Sequence, residues 1–179
     1  YYFASSDKER VTKSIDKEEI CAIGNHTIVT REQVQMYTKF YEITYDKTLS
    51  EKKAIAYAKE RNALYVAAMQ NGYQVTDEQV KAYVEELKQN LDGIWTKEQK
   101  EKLLSGFASE DDYWAFEQKV YRIDLPIQNY VRDKENEFNR KNELGQTWDE
   151  AFKTLKQNLV DEQQYKDLSL IHISEPTRL

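Results

Sequence analysis

The chain has 179 residues, enough for one domain with a hydrophobic core, and a net charge of -6 with acidic and basic residues interleaved. This balance lacks the basic patch expected of a nucleic-acid-binding protein, and the single cysteine excludes an internal disulfide. The five glycines and two prolines are too few for a typical all-β or loop-rich chain. No apolar run reaches the roughly 18 residues of a membrane helix.

The predicted elements begin with a charged arm that extends to about Glu18. A small β-hairpin follows over residues 19–29, because Gly24 separates the short runs ICAI and TIV. Helical periodicity then predicts helices at about 31–47, 50–71, 77–92, 97–105, 110–142 and 148–165. The predicted fold class is therefore all-α, with a small β-hairpin near the N-terminus.

Capping residues mark where these helices begin and end. A threonine followed three residues later by Gln or Glu predicts a capping box, and this pattern occurs at Thr30, Thr76, Thr96 and Thr147. A glycine of positive φ commonly closes a helix, and glycines follow the helical patterns at Gly72, Gly93, Gly106 and Gly145. Pro126 lacks an N–H and should kink or divide the helix at 110–142 near Asp124 and Leu125.

Aromatic side chains are the most informative candidates for binding. The helix at 31–47 is apolar nearly all round, so it is either central or lines a groove. Tyrosine combines a large contact area with a polar tip, which suits a peptide-binding groove. The candidate peptide-binding residues are Tyr37, Tyr41 and Tyr45 on this helix, with Trp114 and Tyr121 on the helix at 110–142. The alternative interpretation is that these rings belong to the core.

Residues with catalytic chemistry are sparse. Cys21 and His26 flank the predicted hairpin turn, but no third group or nearby cation completes a nucleophilic site, so we interpret them as a half-buried strand cysteine and an exposed turn histidine. Two donors are too few for a zinc site, and the glycines are too widely spaced for a phosphate-binding loop. The carboxylate clusters lie in polar runs and indicate solvated faces. The sequence therefore predicts no catalytic residue, no metal site and no cofactor.

Four stretches of the chain carry a resemblance to a known family. EEICAIGNHTIVTREQVQMY is a hairpin with a glycine-polar turn and a threonine-capped helix, and TWDEAFKTLKQNLVDEQQY is a closing helix. Between them lie ALYVAAMQNGYQVTDEQVKAYVEEL and GFASEDDYWAFEQKVYRIDLPIQNYV. From about Glu18 to Tyr165 this series resembles the N-terminal module of the SurA-type and PrsA-type extracytoplasmic chaperones. The shared features are capping and apolar spacing rather than catalytic signatures.

The resemblance implies a SurA N-terminal-like, trigger-factor-C-like chaperone module over residues 19–167. In that family a parvulin-type prolyl isomerase domain is often inserted before the closing helix. Here the corresponding interval, NRKNELGQ, has eight residues, whereas such a domain needs on the order of a hundred. The resemblance thus implies binding of unfolded or nascent exported polypeptides without catalysis, cofactor, small molecule or nucleic acid.

The resemblance also implies a location outside the membrane. It places the module on the outer face of a bacterial cell membrane, with residues 1–18 as an arm or linker behind an anchor. That anchor would be a signal peptide, a lipoprotein group or a membrane helix upstream of Tyr1. Cys21 is not expected to carry a lipid, because charged residues precede it where an apolar segment would be required.

The last twelve residues, LSLIHISEPTRL, differ from the rest of the chain. Eleven of them, LSLIHISEPTR, resemble one reading frame through the adapter used in transposon-based sequencing libraries. We therefore interpret residues 168–179 as a non-native tail and expect the native sequence to stop at Asp167 in this chain.

Two alternatives to a chaperone module stay open. The chain could be a fragment of a prolyl isomerase whose catalytic domain lies downstream of Asp167 in the intact gene. It could instead be an adaptor module with one dedicated partner. Binding to many unfolded polypeptides, as opposed to one tight interaction, would distinguish a chaperone from the adaptor.

Overall fold

The computed structural model describes residues 1–141 and 145–168. Within these residues the helices are α1 (Lys8–Ser14), α2 (Arg31–Tyr45), α3 (Glu51–Gln70), α4 (Asp77–Asp92), α5 (Lys97–Leu104), α6 (Glu110–Lys141) and α7 (Trp148–Gln163). The strands are β1 (Ile20–Ile23), β2 (Ile28–Thr30) and β3 (Lys166–Asp167). The predicted class, mostly helical with a hairpin near the N-terminus, is confirmed. Residues 169–179 of the predicted non-native tail lie outside the described residues.

The helix α3 is the centre of the fold. It packs against α2, α6, α7 and β2. Small side chains allow these close approaches, and the buried alanines of α3 are Ala54, Ala58, Ala63, Ala67 and Ala68. The helix α2, predicted to be central or groove-lining, buries Gln33, Val34 and Tyr37 in its first half, whereas its last residues are exposed.

The sheet has three antiparallel strands in the order β2-β1-β3. The strand β3 was not predicted, because two residues are too few to show a periodic pattern. Ala22 of β1 pairs with Val29 on one side and Asp167 on the other. The next residue, Leu168, donates its N–H to the carbonyl of Cys21 at 3.0 Å and packs against the apolar cluster around Phe3. The chain segment after α7 therefore returns to the start of the fold.

The N-terminal segment is folded onto the sheet, although the sequence predicts only a charged arm there. Phe3 is buried, and its N–H donates to the carbonyl of His26 at 3.1 Å. The hydroxyl of Thr27 donates to the carbonyl of Tyr1 at 2.6 Å. The seven-residue helix α1 was missed because it is short and mostly polar.

Three of the four predicted capping boxes form completely, at Thr76, Thr96 and Thr147. At Thr30 only half of the box forms: its hydroxyl accepts the N–H of Gln33 at 3.2 Å. The side chain of Gln33 is instead bonded to Asn62 in α3, so it is not available to the backbone of Thr30. A tertiary contact replaces the predicted local one.

The predicted helix ends are only partly correct. Gly72 and Gly145 have positive φ, at 83° and 69°, as predicted. Gly93 does not, since its φ is -84°, and Gly106 is not among the positive-φ residues. For α2 and α7 the sequence predicts no closing glycine. These two helices end at non-glycine residues in the left-handed conformation, Asp46 and Gln164.

The helix α6 continues through Pro126 from Glu110 to Lys141, so of the predicted kink or division the division does not occur, and the kink stays a prediction. Pro126 is buried, and α6 packs against α3 and α4. Proline removes one backbone hydrogen bond from the helix interior, and packing against two other helices opposes the resulting loss of stability.

Candidate functional site

A groove between α2 and α6 is the candidate functional site. It has a volume of about 420 Å³ and is open to solvent. Its lining includes Met36, Lys39, Phe116, Lys119, Arg122 and Ile123, and we call it the α2–α6 groove. The volume falls within the roughly 300–1,000 Å³ typical of ligand pockets.

Helical spacing explains why these side chains share a groove. Glu32, Met36 and Lys39 recur at intervals of three and four residues, which places them on one face of α2. Phe116, Lys119 and Ile123 repeat the same spacing on α6. Met36, Phe116 and Ile123 are half-buried, so they supply an apolar floor that remains accessible.

Lys39 connects the groove to the loop between α5 and α6. Its ammonium group lies 3.8 Å from the ring centroid of Phe107 and donates to the carbonyl of Gly106 at 2.9 Å. Phe107 in turn contacts Phe116, with ring centroids 5.4 Å apart. A cation over an aromatic face and a charge-assisted hydrogen bond both favour this position, so one edge of the groove is held in place.

Two further depressions border α2. One, of about 390 Å³, lies towards α5 and is lined by Ile43, Leu103 and Phe107 among others. The other, of about 540 Å³, lies towards the start of α3 and is lined by Val34 and Leu49 among others. Lys39 lines both of them as well as the α2–α6 groove. The exposed side of α2 is therefore bordered by concave surface.

None of the five predicted peptide-binding residues lines these three depressions. Tyr37, Tyr41 and Tyr45 follow each other along a different side of α2. Tyr37 is fully buried and meets Tyr57 of α3 edge-on at 5.3 Å. Tyr41 is half-buried, 4.7 Å from the ring of Tyr45, which is 57% exposed. The three tyrosines thus extend from the core to the surface.

The other two predicted residues belong to an aromatic cluster between α4, α5 and α6. Trp114 is 6% exposed and stacks on Trp95 at 6.1 Å. Tyr121 is half-buried against Tyr83, with ring centroids 4.9 Å apart. The structure therefore does not bring the five rings together on one surface, and their contact with a peptide stays a prediction.

The groove residues were not predicted, because the large aromatic side chains are the most conspicuous binding candidates in the sequence. Met36 and Phe116 are ordinary members of amphipathic patterns, and residues far apart in the chain form the two walls. The available signal was the repeat of apolar and cationic residues at Phe116, Lys119 and Ile123, which indicates a helix face at the edge of the core.

A buried ion pair lies near Tyr37 in the interior of the fold. Arg61 of α3 and Asp124 of α6 are 2.7 Å apart, with side chains 17% and 7% exposed. Burial raises the pKa of Asp124, although Arg61 opposes that change. Burial likewise raises the pKa of Tyr37, and the charge of Asp124 raises it further. These groups connect α2, α3 and α6 in the interior rather than at the groove.

A second carboxyl group is buried on the same helix. Glu117 is 3% exposed, and burial raises its pKa to about 7. A hydrogen bond with Tyr113 opposes the rise, and the charge of Asp124 adds to it. Because Glu117 does not line the α2–α6 groove, we assign it to the interior of the fold.

Cys21 and His26 lie in different local environments. Cys21 is 1% exposed, more deeply buried than predicted, and burial raises the pKa of its thiol. His26 is half-buried rather than exposed, and its Nδ1 donates to the carbonyl of Phe3 at 3.1 Å. The ring therefore helps to hold the N-terminal segment.

Within residues 1–141 and 145–168, no group of three or more His, Cys, Asp or Glu side chains is placed to hold a metal ion. None of the helices in this part of the chain is both long enough and apolar enough to cross a membrane.

Comparisons with protein-family models, curated proteins and solved structures find no match to this chain.

Proposed function

We propose that this protein is a chaperone-like module that binds unfolded or extended polypeptides and does not catalyse a reaction. The observation that carries the proposal is the α2–α6 groove, which combines an accessible apolar floor with a charged rim. The SurA-type and PrsA-type resemblance of the sequence supports the same function and the corresponding fold.

The side chains on the groove floor suit varied clients. Apolar burial is non-directional and contributes roughly 25 cal/mol per Å², so it does not require one defined sequence. Met36 is flexible and polarizable, and it can adapt to different side chains. Of the five predicted peptide-binding residues, Tyr41 and Tyr45 keep accessible rings and could extend the contact beyond the groove.

An aggregation assay tests this function. A client polypeptide with its disulfides reduced would be unfolded in denaturant and diluted into buffer, with and without the full chain. Its aggregation would be followed by light scattering. We expect scattering to fall in proportion to added protein for several unrelated clients. No suppression at large molar excess would contradict the proposal.

A label in the groove tests the site. Gln35 is exposed and lines the groove, whereas Cys21, the single cysteine, is buried, so Gln35→Cys can be labelled selectively. An environment-sensitive fluorophore at this position should shift its emission when an unfolded client is added. The matched control is Lys153→Cys on the exposed side of α7, which should not respond. Equal responses at both positions would contradict a site at the α2–α6 groove.

Two experiments address the alternatives that the sequence leaves open. A prolyl isomerase peptide assay on the same sample should show no acceleration above the uncatalysed rate. Suppression restricted to one client out of a panel would favour a dedicated-partner adaptor.

We also propose an extracytoplasmic location on the outer face of a bacterial cell membrane, on the basis of the sequence resemblance alone. Fractionation of cells expressing the intact gene tests it, and recovery in the cytoplasmic fraction would contradict it.

A further inference from the structure

The charged side chains that line the α2–α6 groove are mostly cationic, whereas the chain as a whole is acidic. The whole protein has a net charge of -6. The charged residues that line this groove are nevertheless three cations, Lys39, Lys119 and Arg122, against one carboxylate, Glu32. The lining of the groove therefore has more cationic than anionic side chains, although the protein as a whole is acidic.

The two neighbouring depressions do not share this imbalance. Towards α5, Lys39 and Lys102 are matched by Glu42 and Asp46, and Lys102 pairs with Asp46 at 3.5 Å. Towards α3, Lys39 and Arg31 are matched by Glu42 and Glu51. Among these three depressions, the excess of cationic side chains occurs only in the α2–α6 groove, where it accompanies the apolar floor.

The cations differ in how freely they could meet a ligand. Lys39 is held over Phe107, and Arg122 pairs with Asp77 at 3.1 Å across exposed surface. Lys119 is exposed and has no ion pair or hydrogen bond within the described part of the chain. It lies between Phe116 and Ile123 in the sequence of α6, so an apolar ligand side chain on the floor would bring adjacent ligand groups close to this ammonium group.

We infer that the α2–α6 groove selects polypeptide segments in which an aliphatic or aromatic side chain is flanked by carboxylates. The inference rests on the proposed function and names the class of client. The apolar side chain contacts Met36, Phe116 and Ile123, and the carboxylates face Lys119 and Arg122. Because these cations are exposed, each carboxylate should improve affinity only about two- to fivefold.

Three fluorescent peptides with the same central Leu and Phe residues test the inference. Their flanking residues are Asp in the first, Asn in the second and Lys in the third. Fluorescence anisotropy with the full chain should give the tightest binding for the Asp peptide and the weakest for the Lys peptide. The differences should shrink at about 1 M salt, where the Debye length is about 3 Å.

Charge reversal at one position separates a local effect from the net charge of the protein. Lys119→Glu should abolish or reverse the preference for the Asp peptide. Lys153→Glu on α7 changes the net charge equally, and it should retain the preference. Lys119→Gln gives a smaller perturbation of the same site, and circular dichroism checks that all variants are folded.

The possible outcomes distinguish this inference from the proposed function. Equal affinities for the three peptides, with suppression of client aggregation retained, would overturn the charge preference and leave the chaperone function standing. Loss of the preference in both charge-reversal variants would also overturn it. Binding of none of the peptides, together with no suppression of aggregation, would overturn both.

Discussion

The side-chain amides of Gln33 and Asn62 hydrogen-bond each other in both directions. The Nε2 of Gln33 donates to Oδ1 of Asn62, and Nδ2 of Asn62 donates to Oε1 of Gln33 at 2.9 Å. The same Nδ2 also donates to the carbonyl of Ile28 at 3.2 Å. One buried pair of side-chain amides therefore links α2, α3 and β2 in the interior of the fold.

Asn62→Ala should destabilise the protein by about 1–3 kcal/mol, because it leaves the buried amide of Gln33 and the carbonyl of Ile28 without this partner. Urea unfolding measures the change. A double-mutant cycle with Gln33→Ala isolates the pair, since the two single substitutions should not be additive. Additive effects would show that the two amides are not coupled.

Asp124→Asn should destabilise the protein by about 3–5 kcal/mol, because the guanidinium group of Arg61 would stay buried without its counter-charge. Urea unfolding again gives the measurement. Asp77→Asn is the matched control, since it breaks the exposed pair with Arg122 and should have little effect. Similar losses for the two substitutions would contradict a special role for the buried pair.

Glu117→Gln should change how stability depends on pH. The pKa of Glu117 is raised from 4.5 to about 7, so the folded state holds a proton that the unfolded state releases. Its favourable contribution is complete below about pH 4.5 and is lost as the pH rises through about 7. The variant should be more stable than the wild type at pH 8 by up to about 3 kcal/mol, and the difference should vanish near pH 4.5.

Urea unfolding of both proteins across this pH range measures that difference. Effects of other titrating groups cancel when the two curves are subtracted. Parallel stability curves for Glu117→Gln and the wild type would show that Glu117 titrates normally.

Gly24→Ala should loosen the junction between the hairpin turn and the end of α7. A methyl group at Gly24 would lie 2.9 Å from Oε1 of Gln163 and 3.0 Å from Cε1 of Tyr165. The Gln163 side chain cannot move freely, because its Oε1 accepts the N–H of His26 at 2.9 Å. We expect a loss of about 1–3 kcal/mol, in the range of other overpacking substitutions.

Hydrogen exchange should locate the effect of Gly24→Ala at the end of α7 and in β3, with thermal unfolding as the global measure. Gly93→Ala is the control, because its nearest neighbouring atom would be 3.8 Å away and its φ is -84°. If the two variants lose equal stability, the cause is a general effect of replacing glycine rather than the contact with Gln163.

Local chemistry explains which predictions were correct. The helix starts at Thr76, Thr96 and Thr147 depend on side chains within one turn of each other, so sequence spacing is sufficient to predict them. At Thr30 the same spacing was insufficient, because Gln33 had a buried partner in another helix. At Pro126 the sequence predicts a kink or a division, and the helix is not divided there; α6 packs against α3 and α4, which short-range sequence patterns do not reveal.

The candidate site depends even more strongly on tertiary packing, which sequence spacing does not reveal. Periodicity identifies the apolar and aromatic residues of α2 and α6, but it does not say which of them the neighbouring helices cover. Tyr37 and Trp114 became core residues because α3 and α4 pack over them, whereas Met36 and Phe116 stayed accessible between two helices.

The helical class, the hairpin and most helix boundaries can be predicted from the sequence alone, because they depend on short-range capping and on the period of the apolar residues. The central position of α3, the third strand of the sheet and the meeting of three cations with an apolar floor between α2 and α6 are visible only in the folded chain. Burial and the local electrostatic field depend on contacts between segments that are far apart in the sequence, so sequence patterns do not report them.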